Sequence, residues 1–198
     1  MTRALAIVVA AAALMCACHD SREPRIGDKE LAELEAFNNR KRYADFTPAI
    51  LASIPDSDVE QAIVDYVHIK IGDDVEHERQ IVAKLPIGAQ ALYITWSVDS
   101  ETRSGGFYQY FESDSAEYAD QAAEAFEFFS AHDHAALMRE ANSVHALDIE
   151  RQRLKGQNGG FEDSQLGPLD DRFKDLKEDL SALRIAKIRS MPEFFSGK

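Results

Sequence analysis

Apolar residues recur at helical spacing along most of the chain. From Pro86 to about Ser100 they fall on one broad side, and Pro86 suits the first turn of a helix because its missing N–H needs no partner there. Gly105-Gly106 then predicts a break, after which Phe107–Phe111 repeats the helical spacing in a short second element. A further helix is predicted from Asp114, with Glu117 three residues later.

The helix after Asp114 has two sides of different chemistry. Its apolar side consists of alanine and phenylalanine: Ala119, Ala122, Ala123, Phe126 and Phe129. Its other side carries four carboxylates at steps of three, four and three residues, here called the acidic stripe: Glu117, Asp120, Glu124 and Glu127. Such steps place successive charges roughly 5 Å apart along the helix axis, which is somewhat wider than the phosphate spacing of one DNA strand.

The same spacing predicts helices in the rest of the chain. Lys29–Asp45 is compatible with one helix, and Ser57 with Glu60 predicts a capping box that opens another, which Gly72 ends. The clearest apolar stripe runs through Leu169–Ile188, after the longest predicted loop, Gly156–Pro168. No stretch has the pattern of a strand, so the sequence predicts an all-α fold, a single globular domain of about seven or eight helices.

One group of residues carries a family resemblance. It consists of Leu85-Pro86, Leu92-Tyr93, Thr95-Trp96, the run Ser104, Gly105, Gly106, Phe107, and then Gln109 and Phe111. This pattern, with its surroundings from about Ile50 to Phe195, resembles a DNA-mimic-protein-like family of small acidic bacterial domains. The family usually has Asn where this chain has Ser104. It includes an acidic protein described as a mimic of double-stranded DNA that binds a transcription factor, so the resemblance implies this fold and a protein partner.

Composition adds a strong negative charge to this picture. The net charge is −13, and it becomes −14 without residues 1–17, whose only charge is Arg3. Such a surface repels nucleic acid and anionic lipid, and it favours a basic protein or a cationic ligand, although acidity also keeps a protein soluble. The stretch around the acidic stripe holds eight carboxylates against Arg103 alone, here called the acidic face: Asp99, Glu101, Glu112, Asp114, Glu117, Asp120, Glu124 and Glu127.

The amino-terminal residues predict export. Residues 1–17 combine a basic start with about a dozen apolar residues, which is typical of a signal peptide and short for a membrane span. Cys18 after Ala17 resembles a bacterial lipoprotein box and predicts a lipid-carrying thiol, and the alternative is a secreted soluble protein. Residues 18–28 are polar and predict a tether, which leaves 29–198 as the domain. This domain has no cysteine and can form no internal disulfide.

Enzymatic and metal chemistry find little support in the sequence. His132, His134 and His145 invite a metal hypothesis, but their spacing would point the first two to different sides of a helix. The glycine pair lacks the strand and the lysine of a phosphate-binding loop, and Asp170-Asp171 more plainly complements a helix amino terminus. We therefore expect no metal, no cofactor and no catalytic residue, unless the histidines and carboxylates meet in one pocket of the fold.

These observations predict an exported, lipid-anchored acidic module that binds a basic protein partner in the bacterial cell envelope, facing the periplasm. Three alternatives stay open. The chain could be an immunity-type inhibitor of a basic toxin, an enzyme whose site is not visible in sequence, or a structural envelope lipoprotein. In each case we expect no nucleic acid ligand, and contact with the membrane through the lipid alone.

Overall fold

The computed structural model describes residues 27–155 and 164–197. The predicted signal peptide with Cys18, nearly all of the tether, and most of the predicted loop Gly156–Pro168 lie outside these ranges. The chain divides into two units, one that ends at Arg40 and one that begins at Lys41. In the first unit, α1 spans Asp28–Asn38.

Helix α1 is shorter than the predicted Lys29–Asp45. It ends because the N–H of Asn39 closes onto the carbonyls of Glu35 and Phe37, after which residues 40–47 are not helical. The guanidinium of Arg40 bonds to the Phe37 carbonyl and lies 3.5 Å from the centre of its ring, which stabilises this end. The extension of this helix to Asp45 is therefore wrong.

In its described part, the second unit contains eight helices and no strand. They are α2 (Pro48–Ser53), α3 (Asp56–Ile71), α4 (Glu78–Val82), α5 (Ile87–Glu112), α6 (Ala119–Phe128), α7 (His132–Lys155), α8 (Leu166–Asp175) and α9 (Leu180–Ser190). Short 3-10 turns at Val75–His77, Asp114–Tyr118 and Pro192–Phe194 connect or end them. The predicted all-α fold is confirmed. No helix in the described ranges is long and apolar enough to cross a membrane.

Helix α5 is the centre of this unit. It packs against α3, α6 and α8, and its fully buried side chains include Leu92, Phe107 and Tyr110. Phe107 meets Phe173 of α8 edge to face, with 5.6 Å between ring centres. The long aromatic stretch of the sequence therefore forms the core, which agrees with the large apolar area that aromatic side chains bury.

The predicted break at the glycine pair is a kink inside α5. Gly105 has φ −148° and ψ 16°, and Gly106 has φ 78° and ψ −178°. The N–H of Phe107 opens the second segment of the helix and donates to Asp170 Oδ1 at 2.7 Å. A Cβ on Gly106 would lie 2.3 Å from Asp170 Oδ2, so this position needs glycine for its backbone and for this close approach. The predicted helix-capping role of Asp170 is thus confirmed.

The capping box predicted at the start of α3 is wrong. Pro55 precedes the first helical residue, and Ser57 donates to Asp58 within the first turn rather than capping the backbone. Glu60 instead reaches α9 and accepts from Ser181. The sequence offered a second cap that was missed: Thr47 Oγ1 accepts the N–H of Ile50 at 3.2 Å and begins α2.

The apolar stripe Leu169–Ile188 is two helices rather than one. The chain leaves the helix after Asp175 and resumes at Leu180, where Asp179 accepts the N–H of Ala182 at 2.9 Å. Between them, Glu178 turns to the amino terminus of α7. The predicted loop is also too long at its end, since Leu166–Pro168 already forms the first turn of α8.

Candidate acidic interface

The acidic stripe follows one side of α6 and of the 3-10 turn before it. Glu117, Asp120 and Glu124 are exposed and Glu127 is half-buried. The opposite side of α6 packs into the core through residues such as Ala122 and Phe126. The two-sided helix predicted from the sequence is confirmed over Ala119–Phe128, because the helical repeat separates the carboxylates from the apolar residues. Its predicted start at Asp114 is wrong, since Asp114–Tyr118 is a 3-10 turn.

Two carboxylates of the stripe form ion pairs with neighbouring helices. Asp120 lies 2.8 Å from Arg79 of α4, and Glu127 lies 2.8 Å from Arg139 of α7. Glu124, between them, makes no hydrogen bond or ion pair with any residue in the described ranges. Glu124 is therefore free within the stripe, while Asp120 and Glu127 on either side of it are held by exposed arginines.

A further carboxylate intensifies the negative potential at the start of the stripe. Glu78 of α4 accepts hydrogen bonds from the hydroxyls of Tyr93 at 2.9 Å and Tyr118 at 3.1 Å, which fix it beside Glu117. Partial burial and the charge of Glu78 raise the pKa of Glu117, and nearby Arg79 offsets only part of this effect. The protein thus holds like charges close together here.

The remaining four carboxylates of the acidic face lie on α5 or just after it: Asp99, Glu101, Glu112 and Asp114. Asp99 pairs with Arg103 at 2.7 Å and lies 3.9 Å from Arg184 of α9. Glu101 accepts a hydrogen bond from Gln109 at 3.3 Å. Glu112 and Asp114 are exposed, and their side chains make no hydrogen bond or ion pair with any described residue. Half of this group therefore serves local pairing and half is free.

The family-motif residues have separate roles. Gly105 and Gly106 form the kink, while Phe107 and Phe111 are buried in the core. Ser104 and Gln109 are exposed, and the Ser104 side chain makes no hydrogen bond within the described residues. Trp96 is half-buried and borders a cavity. Most of the motif therefore shapes the fold, and Trp96 is the member that reaches a possible ligand site.

The three histidines do not converge. His132 is exposed beside Glu127, while His145 stacks on Phe111 at 4.0 Å between ring centres. His134 is 1% exposed, and its Nδ1–H donates to Glu178 at 2.7 Å. Across residues 27–155 and 164–197 no group of three or more His, Cys, Asp or Glu side chains is arranged to hold a metal ion.

A cavity of about 350 Å³ was not predicted from the sequence. It lies between α3, α5 and α9 and is lined by Asp56, Ser57, Glu60, Gln61, Trp96, Ser181 and Ile185. These residues come from three separate parts of the chain, so no local spacing identifies them. Trp96 in the family motif was the one available signal.

The fold and the exposed carboxylates define a class, an all-α acidic domain built around one kinked central helix. The family model of the DMP19-like protein matches residues 83–190, which is more than half of the chain. The chain belongs to this family, so the resemblance drawn from the sequence is confirmed, and it is a DNA-mimic-like acidic protein. No curated protein and no solved structure matches it.

Proposed function

We propose that the protein is an exported, lipid-anchored module that binds a basic protein through its acidic stripe. The observation that carries this proposal is the row of exposed carboxylates on α6, with unpaired Glu124 at its centre. A net charge of −13 adds a long-range field that attracts a basic partner and repels polyanions.

The ion pairs of the stripe are compatible with this role. Arg79 and Arg139 are themselves about half exposed, at 44% and 54% of the side chain. Exposed pairs of this kind contribute about 0–1 kcal/mol each. A partner's arginine or lysine can therefore replace Arg79 at Asp120 or Arg139 at Glu127 at little cost in stability.

The crowding of like charges supports the same conclusion. Glu117 is held beside Glu78, although this raises its pKa and costs folding energy. Unfavourable local electrostatics of this kind is common where a surface is shaped for binding rather than for stability. A cationic partner would relieve the repulsion on binding.

The export part of the proposal rests on residues 1–18. A basic start, an apolar run and a cysteine after Ala17 form the pattern of a bacterial lipoprotein signal. Transcription factors are cytoplasmic, so an exported member of this family needs another target. An envelope protein with a basic surface, or a basic toxin that this chain inhibits, fits the compartment.

The acidic stripe is tested by charge reversal with a matched control. Glu117, Asp120 and Glu124 are changed together to lysine, and the control changes three exposed carboxylates elsewhere that have no ion pair among the described residues: Asp73, Glu76 and Asp171. Both variants carry the same net charge. We expect the stripe variant to capture a partner from envelope extract more weakly and with less sensitivity to salt, while the control behaves as the wild type does. Equal capture by the two variants would contradict the proposal.

The lipid anchor is tested separately. We expect the wild-type protein to partition into detergent and to incorporate a fatty-acid probe, and the Cys18→Ser variant to do neither. A single acyl chain gives only reversible membrane binding, so firm retention requires more than one chain. Equal labelling of both proteins, or a mature amino terminus at another residue, would show that the signal is secretory rather than lipoprotein.

A further inference from the structure

We propose that the cavity between α3, α5 and α9 is a binding site for a guanidinium group, the side chain of an arginine on the partner. The cavity volume of about 350 Å³ is at the small end of ligand pockets and suits one long side chain. This inference rests on the proposed function, since it specifies which side chain of a basic partner is bound and where.

The charged groups that line the cavity are carboxylates. Asp56 and Glu60 border it, whereas the two nearby arginines, Arg184 and Arg189, do not. Arg184 is 2% exposed and is paired with Glu60 at 3.2 Å behind the cavity wall. A ligand that enters therefore meets negative charge first.

Arg189 leaves its carboxylate partner available. Its guanidinium donates to the carbonyls of Leu51 and Ile54 at the end of α2 as well as to Asp56. The side chain of Asp56 is 67% exposed. A carboxylate has about four acceptor positions, so Asp56 can accept from a second guanidinium without releasing Arg189.

The polar residues of the cavity present mainly acceptors. Ser57 donates its hydroxyl proton to Asp58, and Ser181 donates to Glu60. The amide of Gln61 donates to Asp65 at 3.0 Å, which leaves its carbonyl oxygen free. A matching ligand must supply several donors, and a guanidinium supplies five in one plane.

Trp96 favours a flat cation over a compact one. A guanidinium stacks on an indole and is more weakly hydrated than an ammonium, so it loses less on leaving water. The combination of an indole, two carboxylates and neutral acceptors therefore selects arginine over lysine. Ile185 supplies an apolar surface for the methylene stem of the same side chain.

The site can be tested directly, because Trp96 is the only tryptophan of the chain. N-acetyl-arginine amide is titrated into the protein and the fluorescence of Trp96 is recorded. The neutral isostere N-acetyl-citrulline amide has the same shape without the charge. We expect the arginine derivative to quench the fluorescence saturably. We expect the citrulline derivative to bind at least about tenfold more weakly.

Two isosteric variants locate the charge requirement. Asp56→Asn removes a carboxylate from the cavity, and Asp171→Asn makes the same change at an exposed site on α8. We expect Asp56→Asn to weaken binding by about fivefold and Asp171→Asn to leave it unchanged. Thermal midpoints of both variants report whether the loss of the Arg189 pair disturbs the fold.

A third variant removes the fluorophore while keeping a ring. Trp96→Phe should retain the fold and bind the arginine derivative more weakly, as measured by chemical shifts of the backbone amide of Ser181. The site is excluded if citrulline binds as well as arginine, or if the two Asp→Asn variants behave alike. These titrations need no partner, so their failure leaves the acidic stripe intact, and failure of the charge-reversal experiment leaves the cavity result intact.

Discussion

Glu178, in the connection between α8 and α9, and Glu124, on α6, are glutamates that the structure uses in opposite ways. Glu178 accepts three hydrogen bonds, from the backbone N–H groups of Asp133 and His134 at 2.9 and 3.0 Å and from the His134 ring at 2.7 Å. Glu124 accepts none from the described residues. A carboxylate that collects several donors stabilises the fold, whereas an unpaired exposed one is available to a partner.

Asp170 belongs with Glu178 in this comparison. It begins the second segment of α5 by accepting the N–H of Phe107, across a sequence distance of more than sixty residues. The carboxylates of the protein therefore fall into two populations. A few carboxylates at helix amino termini hold the helices together, and the stripe on α6 faces solvent. Substitutions in the two populations should separate stability from binding.

The largest loss of stability is expected at the α5 kink. Gly106→Ala adds a Cβ that would lie 2.3 Å from Asp170 and forces an L side chain into φ 78°. We expect the free energy of unfolding to fall by about 2–4 kcal/mol, because the Asp170 cap is displaced as well as the backbone strained. This loss of stability is measured by urea unfolding, monitored by far-UV circular dichroism.

Gly167→Ala is the matched control for the kink. An added Cβ there meets nothing within 4 Å, and the residue lies in the first turn of α8. We expect a change within about 1 kcal/mol, in the stabilising direction, since alanine favours a helix. Equal losses in the two variants would mean that the close approach of Asp170 is not what Gly106 provides.

A second loss of stability is expected at Glu178. Glu178→Ala leaves two N–H groups of α7 and the buried His134 ring without their acceptor, so we expect unfolding to become easier by about 2–3 kcal/mol. The conservative Glu178→Gln keeps an acceptor oxygen and should cost less. The measurement is the urea midpoint at neutral pH.

The same residue gives a pH dependence of known sign. Burial by itself would raise the pKa of Glu178, but the hydrogen bonds from Asp133 and His134 outweigh it and lower the pKa. A carboxyl group whose pKa is lowered in the folded state contributes stability at pH values above its unfolded pKa of about 4.3. This stability is lost as pH falls through the folded pKa. Glu178→Gln should therefore unfold with a weaker dependence on pH below about 4.3 than the wild type. Parallel acid-unfolding curves would contradict this.

Part of this arrangement could be predicted from the sequence. The helical spacing of Phe107, Tyr110 and Phe111, the glycine break and the charge separation on α6 are local patterns, and the structure confirms them. The Asp170-Asp171 pair was also expected at a helix amino terminus, and Asp170 has this role, although its partner helix was not anticipated.

Other parts depend on contacts that no local pattern contains. The break between α8 and α9 interrupts an unbroken apolar stripe, because Glu178 is drawn to the start of α7. Ser57 and Glu60 have the spacing of a capping box, yet Glu60 bonds to Ser181 more than a hundred residues away. Likewise the cavity beside Trp96 exists only where three helices meet.

The smallest expected effect on stability, and the sharpest contrast with Glu178, lies in the stripe itself. The pKa of Glu117 is raised, first by burial and then by Glu78. A raised carboxyl pKa means that ionisation is less favourable in the folded state than in the unfolded chain. This cost to stability is present at neutral pH and disappears as pH falls below the unfolded pKa. Glu117→Gln should therefore stabilise the protein at neutral pH, by only a few tenths of a kcal/mol because the group is exposed and screened.

The same substitution should weaken capture of a basic partner, since it removes charge from the stripe. Glu124→Gln, at a carboxylate with no described partner, should leave stability unchanged within about 0.5 kcal/mol and also weaken capture. Glu117→Gln then raises stability and weakens binding, whereas Glu124→Gln weakens binding alone. If Glu117→Gln instead destabilised the fold as Glu178→Ala does, the stripe would be part of the structural framework, and the distinction between the two populations of carboxylates would fail.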